Sequence, residues 1–95
     1  MNIDITARHF SPSDKLKELV YTKLKKIEKL NSNIIGCRVV LTKESNLEDV
    51  EIIVHGKGNH FVAHENSDNF EKSLISAVDK ITIQVKKQHE KLLDH

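Results

Sequence analysis

The residues best suited to chemistry lie near the end of the chain, where lysines recur at helical spacing. Lys80, Lys87 and Lys91 are separated by seven and four residues, which places them on one flank of a helix, while Lys86 lies across its outer face. The apolar residues form a separate stripe: Phe70, Leu74, Ala77, Val78, Ile81, Val85 and Leu92. A helix that is apolar on one side and lysine-lined along an edge favours contact with nucleic-acid phosphates, although a solvated helix face is the common alternative.

A second lysine-rich segment lies in the first half of the chain. Residues 15–29 hold six lysines against two acids, and Lys23 and Lys26 fall on one flank of the predicted helix. Residues 44–51, in contrast, hold four acids and no base. The formal net charge of +1 therefore conceals two basic helices and one acidic hairpin. Such a separation of charge can orient a protein toward a polyanion.

Length and composition indicate one ordinary α/β domain over residues 1–95. Of the 95 residues, 38% are apolar and 31% are charged, which is typical of a folded domain. No apolar run approaches the roughly 18 residues of a membrane span, and the start lacks the pattern of a signal peptide. The single cysteine, Cys37, excludes an internal disulfide, so we expect a cytoplasmic protein.

Hydrophobic periodicity predicts six elements. Residues 2–9 alternate as a strand, and a helix follows to about Leu30, with Ser11 as N-cap and Pro12 as its first residue. Strands are predicted over 34–43, 50–55 and 60–65. The final helix follows residues 66–68, with a capping box formed by Asp68 and Glu71.

The order β-α-β-β-β-α predicts an α+β fold with a four-stranded mixed sheet. The first β-α-β unit crosses over right-handedly, so its strands are parallel neighbours, while the later, closely linked strands are antiparallel. Each helix has one apolar stripe, so two roughly parallel helices should pack on one sheet face. Their lysine-bearing flanks could then meet across the groove between them, although periodicity does not fix which flanks face each other.

Four stretches match the motifs of one family. Ile5-Thr6-Ala7-Arg8-His9 is similar to I-T-G-R-N, Lys23-Leu24-Lys25-Lys26-Ile27-Glu28 matches K-L-x-K-L-E, and Val39-Val40-Leu41 matches a strand motif. Residues 79–91, with Asp79, Lys80, Gln84, Lys87 and Lys91, follow D-K-L-x-x-Q-L-x-K-x-K-x-K. On these motifs the whole chain resembles the ribosome hibernation promoting factors, short relatives of the ribosome-associated translation inhibitors that are also described as sigma factor modulation proteins.

The resemblance implies a protein that is not an enzyme and needs no cofactor or metal. Such a protein would bind the small ribosomal subunit and its RNA at the messenger and transfer RNA channel, silence translation and promote ribosome hibernation. Long family members carry a further domain that dimerises ribosomes. Because this chain ends at His95, the resemblance implies a short form, monomeric off the ribosome, that works beside a separate ribosome modulation factor.

Phosphate contacts position a protein without reading base sequence, so the shape of the RNA would provide selectivity. The side chains expected to bind RNA are Lys23, Lys26, Lys29, Lys80, Lys86, Lys87, His89 and Lys91. His89 stands where the family has a lysine, which implies a contact that depends on pH. Ala7 stands where the family often has glycine. The segment that begins the last helix is one residue longer than the corresponding family motif, D-M-Y-A-A-I-D.

Two other binding functions stay open. A general double-stranded-RNA-binding module also sets helices against a small sheet, but it would bind isolated duplex as tightly as ribosomes. A protein–protein adaptor would use an apolar patch on the exposed sheet face, formed by Val40, Ile53 and Val62.

Metal and nucleophile chemistry are weaker alternatives. His60 and His64 would share a strand face with His55 across the hairpin, and three imidazoles can hold zinc. Histidines on an exposed sheet face are more often only solvated. Cys37 falls on an inward strand position, where a small core residue is expected, and no neighbour in the sequence would activate it as a nucleophile.

Overall fold

The six predicted elements are present in the predicted order. A computed structural model describes residues 1–30 and 33–93, the last five of them as backbone only. The elements are β1 (Asn2–Arg8), α1 (Asp14–Glu28), β2 (Ile34–Glu44), β3 (Leu47–Gly56), β4 (Asn59–Ser67) and α2 (Phe70–Leu93). The α+β class and the β-α-β-β-β-α order are therefore confirmed, with β2 one residue longer than predicted and β3 and β4 several residues longer.

The sheet is mixed, and its strands lie in sequence order, β1-β2-β3-β4. β1 and β2 are parallel, as the crossover through α1 requires. β3 is antiparallel to both β2 and β4, and each of these pairs is joined by a short turn. β4 consequently runs in the same direction as β1, and these two strands form the sheet edges.

One face of the sheet carries the core. Alternate residues of the inner strands point to the helices, and Val39, Leu41 and Ile52 have no exposed surface. The apolar stripes of the helices close over them. The fully buried helix residues include Val20, Leu24, Ile27, Leu74, Ala77 and Ile81. Burying both stripes on the same face holds the two helices side by side, as predicted.

The other sheet face has no helix over it, and we call it the open face. Val62 is 42% exposed there, and its partner across the strands, Ile53, is partly buried. Val40 is only 8% exposed, because its neighbours already cover it. The predicted apolar patch is therefore smaller than the sequence suggested and reduces mainly to the Ile53–Val62 pair.

The helix α1 begins two residues later than predicted. Ser13, not Ser11, is its N-cap: the Ser13 hydroxyl accepts a hydrogen bond from the Leu16 amide at 3.1 Å. Residues before the cap carry the chain toward the start of α2, where Phe10 stacks on Phe70 with ring centroids 5.0 Å apart. The predicted cap was wrong because either serine can cap a helix. The contact of Phe10 with Phe70, which positions the residues before the helix, is between residues distant in sequence and cannot be seen in the local pattern.

The cap of α2 also differs from the prediction. The Asn69 side chain accepts from the Lys72 amide at 2.8 Å, and the Glu48 carboxylate from β3 accepts from the Phe70 amide at 2.8 Å. Asp68 instead forms an ion pair with Lys72 at 3.3 Å. The predicted Asp68–Glu71 capping box is therefore wrong, since Asn69 lies one residue closer to the helix and a distant strand supplies the second acceptor.

Replacing the capping hydroxyl tests this assignment. We expect Ser13→Ala to lower the free energy of unfolding by about 1 kcal/mol, because the Leu16 amide loses its acceptor. Ser11→Ala is the matched control and should change it by less than about 0.5 kcal/mol, as a surface substitution away from a cap. Urea denaturation measures both. An equal loss in the two variants would contradict the assignment.

Candidate nucleic-acid interface

The two helices point their C-terminal ends to the same end of the domain. Helix α1 returns antiparallel to β1, and α2 returns antiparallel to β4, which runs in the same direction as β1. The lysine-rich halves of both helices therefore lie at one end, which we call the basic end. Cations are favourable there because the carbonyl ends of the helix dipoles are partly negative.

Lys23 and Lys26 face the groove between the helices. They line a cavity of about 310 Å³ together with residues from the α2 side that include Asp79 and Thr82. Lys23 is partly buried and Lys26 is exposed, so their ammonium groups stand at the rim rather than inside the core.

Two further lysines extend this basic surface. Lys86 lies four residues after Thr82, and therefore on the same side of α2, and its side chain is exposed. Lys29 is the C-cap residue of α1 and is also exposed. We refer to Lys23, Lys26 and Lys86 as the groove lysines.

Lys80 lies on the opposite flank of α2, beside β4. Its ammonium group donates to Glu65 of β4 at 2.8 Å, and the Ser76 hydroxyl donates to the other oxygen of Glu65 at 2.7 Å. One turn further, the Gln84 amide donates to the Val62 carbonyl at 2.8 Å. Lys87 follows Lys80 by seven residues and so shares this flank. We call Lys80 and Lys87 the edge lysines.

Lys80 and Lys87 therefore do not meet α1 across the groove, an arrangement that the sequence had left open. An apolar stripe has two flanks, and hydrophobic periodicity does not show which of them meets α1. In the structure Asp79 and Thr82 take the groove side, while Ser76, Lys80 and Gln84 take the β4 side. The side chains of His89 and Lys91 lie outside the described residues.

The lysine on the β4 flank changes the titration of its partner. The hydrogen bond from Lys80, followed by that from Ser76, lowers the pKa of the Glu65 carboxyl below its ordinary value. Glu65 therefore stays ionised to lower pH than an unpaired glutamate. In this free molecule the charge of Lys80 is already partly compensated, whereas no ion pair of the groove lysines is present among the described residues.

The opposite end of the domain is acidic, and its acids are largely engaged. Glu48 caps α2 and also lies 3.6 Å from the Lys43 ammonium group. Asp49 pairs with His64 at 2.7 Å. The helix N-termini stand at this end, where negative charge is favourable. The acidic hairpin predicted from the sequence thus anchors a helix, a role that its composition did not indicate.

A second, larger cavity does not coincide with the lysine-rich surface. It measures about 760 Å³ and lies between the N-terminal halves of the helices. Its charged lining is mixed: Lys15 and Lys72 against Glu18, Glu48 and Glu71. A cleft with both signs of charge is poorly suited to a polyanion, so the groove and edge lysines remain the better candidate interface.

Other chemistry finds little support in the described part of the chain. Within it, no three His, Cys, Asp or Glu side chains are grouped so that they could hold a metal ion. Cys37 is 4% exposed, and burial raises its pKa to about 12, so the thiolate needed for nucleophilic attack is disfavoured. Neither helix of residues 1–30 and 33–93 is both long and apolar enough to cross a membrane.

The chain is similar over nearly its whole length to one family. The family model described as Sigma 54 modulation protein / S30EA ribosomal protein matches residues 3–93. A ribosome hibernation promoting factor of Azotobacter vinelandii is 23% identical over 94 residues, covering 99% of this chain and 88% of that protein. One of Pseudomonas putida is 25% identical over 91 residues, covering 96% and 89%.

Solved structures share the same fold. A ribosomal subunit interface protein from Coxiella burnetii superposes with a TM-score of 0.88 at 23% identity, covering 95% of this chain and 99% of that one. The N-terminal domain of Thermus thermophilus Protein Y gives a TM-score of 0.85 at 25% identity, with coverage of 92% and 98%.

The Glu65–Lys80 pair predicts a pH-dependent contribution to stability. Because the folded-state pKa of Glu65 is lowered, the pair stabilises the fold above the unfolded carboxyl value of about 4.3, and this stabilisation is lost as pH falls through the folded pKa. Glu65→Gln should lower the melting temperature at pH 7, and its difference from the unsubstituted protein should shrink at acid pH. Glu51→Gln is the control. A difference that stays constant with pH would contradict the assignment.

Proposed function

Because the chain belongs to the family described as Sigma 54 modulation protein / S30EA ribosomal protein, we propose that it binds the small ribosomal subunit and holds ribosomes in hibernation. The protein is of a non-enzymatic class. The observation that carries the proposal is the convergence of the lysine-rich ends of two parallel helices at one end of the domain. The curated relatives named ribosome hibernation promoting factor support the same function.

The proposed site is the messenger and transfer RNA channel, and the contacts are to ribosomal RNA phosphates. The groove lysines stand at the rim of the cleft, without an ion pair to any described residue, and make the first contacts. The edge lysines reach a second backbone segment, and Lys80 exchanges the Glu65 carboxylate for a phosphate. The full set proposed to bind RNA is Lys23, Lys26, Lys29, Lys80, Lys86, Lys87, His89 and Lys91.

Each phosphate contact releases condensed counterions, so binding depends steeply on salt. About six contacts give a log–log slope of affinity against salt of roughly −4 to −5. The lysine ammonium group is a compact charge without the bidentate hydrogen-bonding geometry of arginine. It therefore recognises the charge and position of a phosphate and does not discriminate between bases. The fit of the domain to folded RNA supplies the selectivity.

Translation is silenced by occupancy in this proposal. A domain seated in the channel excludes messenger and transfer RNA sterically, and no chemical step is needed. The protein acts in the cytoplasm, is monomeric away from the ribosome, and promotes ribosome dimers alongside a separate ribosome modulation factor.

Charge reversal in the groove tests the proposal. We expect Lys23→Glu together with Lys26→Glu to abolish most co-sedimentation with small subunits, and to reduce the salt slope of residual binding by roughly 1.5 to 2, since two phosphate contacts are lost. Lys15→Glu with Lys17→Glu is the matched control on the same helix, at its other end. It should retain binding.

Two outcomes would overturn the proposal. Unchanged co-sedimentation of the Lys23/Lys26 variant would remove the groove from the interface. Equally tight binding of the unsubstituted protein to an isolated 20-base-pair RNA duplex would instead indicate a general double-stranded-RNA-binding module. Bound transfer RNA should compete with the protein for the small subunit.

A further inference from the structure

The turn of the β3–β4 hairpin lies at the basic end, and the strand residues next to it include no acid. Residues 52–64 contain three histidines and one lysine, and no aspartate or glutamate. Lys57 and Gly58 form its two-residue turn, in which Gly58 takes a φ of 84° that favours glycine. The Lys57 amide donates to the Asn33 carbonyl at 2.9 Å, so the turn is fixed beside the connection that follows α1.

Two exposed imidazoles pair across this hairpin. His55 and His60 are directly opposite each other, and their ring centroids are 6.5 Å apart with planes inclined at 35°. Both side chains lie on the open face, next to the Ile53–Val62 pair. The hairpin therefore presents two rings beside an apolar pair, with the exposed side chain of Lys57 at the turn.

The edge lysines lie just around the β4 edge from this surface. Gln84 is level with Val62, because its side chain donates to the Val62 carbonyl. Helix α2 runs antiparallel to β4, so Lys87, three residues further on, is level with the start of β4 near His60. A chain of phosphates following the edge lysines would thus bring its bases toward the two rings.

We propose that the His55–His60 pair is a stacking platform for an unpaired base of single-stranded RNA, with Lys57 and Lys87 holding the flanking phosphates. The inference rests on the proposed function and extends it from phosphate contacts to contact with a base. Unpaired bases stack on aromatic rings, histidine included, and such stacking tolerates any sequence. The acid-free turn region, with Lys57 at its tip, complements a polyanion, whereas the acids of β3 on the same face, Asp49 and Glu51, lie toward the other end of the sheet.

Fluorescence anisotropy with a labelled ten-nucleotide oligoadenylate, at low salt and pH 8, tests the platform. His55→Ser with His60→Ser should weaken binding about tenfold, since one stacked base is lost. The slope of affinity against salt should change little, because every lysine proposed to contact a phosphate is kept. His55→Phe with His60→Phe should restore affinity to within about threefold, as phenylalanine keeps a stacking ring.

Two further controls separate stacking from charge and from damage to the fold. His64→Ser alters the same strand and face near the acidic end and should bind like the unsubstituted protein. An abasic oligomer of equal length keeps the phosphates without the bases, and should bind the unsubstituted protein as weakly as oligoadenylate binds the serine variant.

The platform is refuted if the serine variant binds oligoadenylate as tightly as the unsubstituted protein, if the phenylalanine variant stays as weak as the serine variant, or if the abasic oligomer binds equally well. These results leave co-sedimentation with small subunits untouched, so the proposed function would survive them. Loss of co-sedimentation in the unsubstituted protein, with oligoadenylate binding still dependent on the histidines, would overturn the proposed function and leave the platform standing.

Discussion

The burial of two apolar helix stripes on one face of a mixed sheet determines the rest of the molecule. Val20, Leu24 and Ile27 on α1 and Leu74 and Ile81 on α2 are completely buried, so neither helix can rotate without exposing a core residue. The parallel β1–β2 pair and the two antiparallel pairs then force both helices to run in the same direction. Parallel helices gather their C-terminal lysines at one end, and a chain with a net charge of only +1 acquires a basic end.

The acidic end is the counterpart of this arrangement. Glu48 bonds to the free Phe70 amide, and the Ser73 hydroxyl donates to the Glu48 carbonyl at 2.6 Å, so the β2–β3 hairpin fixes where α2 begins. Acids at the helix N-termini and lysines at the C-termini both interact favourably with the helix dipoles. The same distribution of charge therefore stabilises the fold and orients the molecule toward a polyanion.

The order of elements and most of the core could be predicted from the sequence, because alternation and helical periodicity report directly which side of an element is buried. Which flank of α2 faces α1 could not be predicted. Lys80 and Asp79 are adjacent in sequence, and only the packed structure shows that Lys80 turns to Glu65 while Asp79 faces α1. The N-caps were missed for a related reason, since Phe10 and Glu48 act through contacts with distant residues. The sequence did place His55 across the hairpin from His60 and His64, and the register of β3 and β4 sets it directly opposite His60.

The claim that the basic end faces ribosomal RNA can be tested by site-specific photo-crosslinking. A benzoylphenylalanine placed at Lys29, at the end of α1, and another at Lys43, in the acidic hairpin, are compared after irradiation with small ribosomal subunits. The basic-end position should crosslink to RNA lining the messenger and transfer RNA channel, and the acidic-end position should yield little RNA. Crosslinks of equal yield from both positions, or RNA crosslinks from the acidic hairpin alone, would contradict the claim.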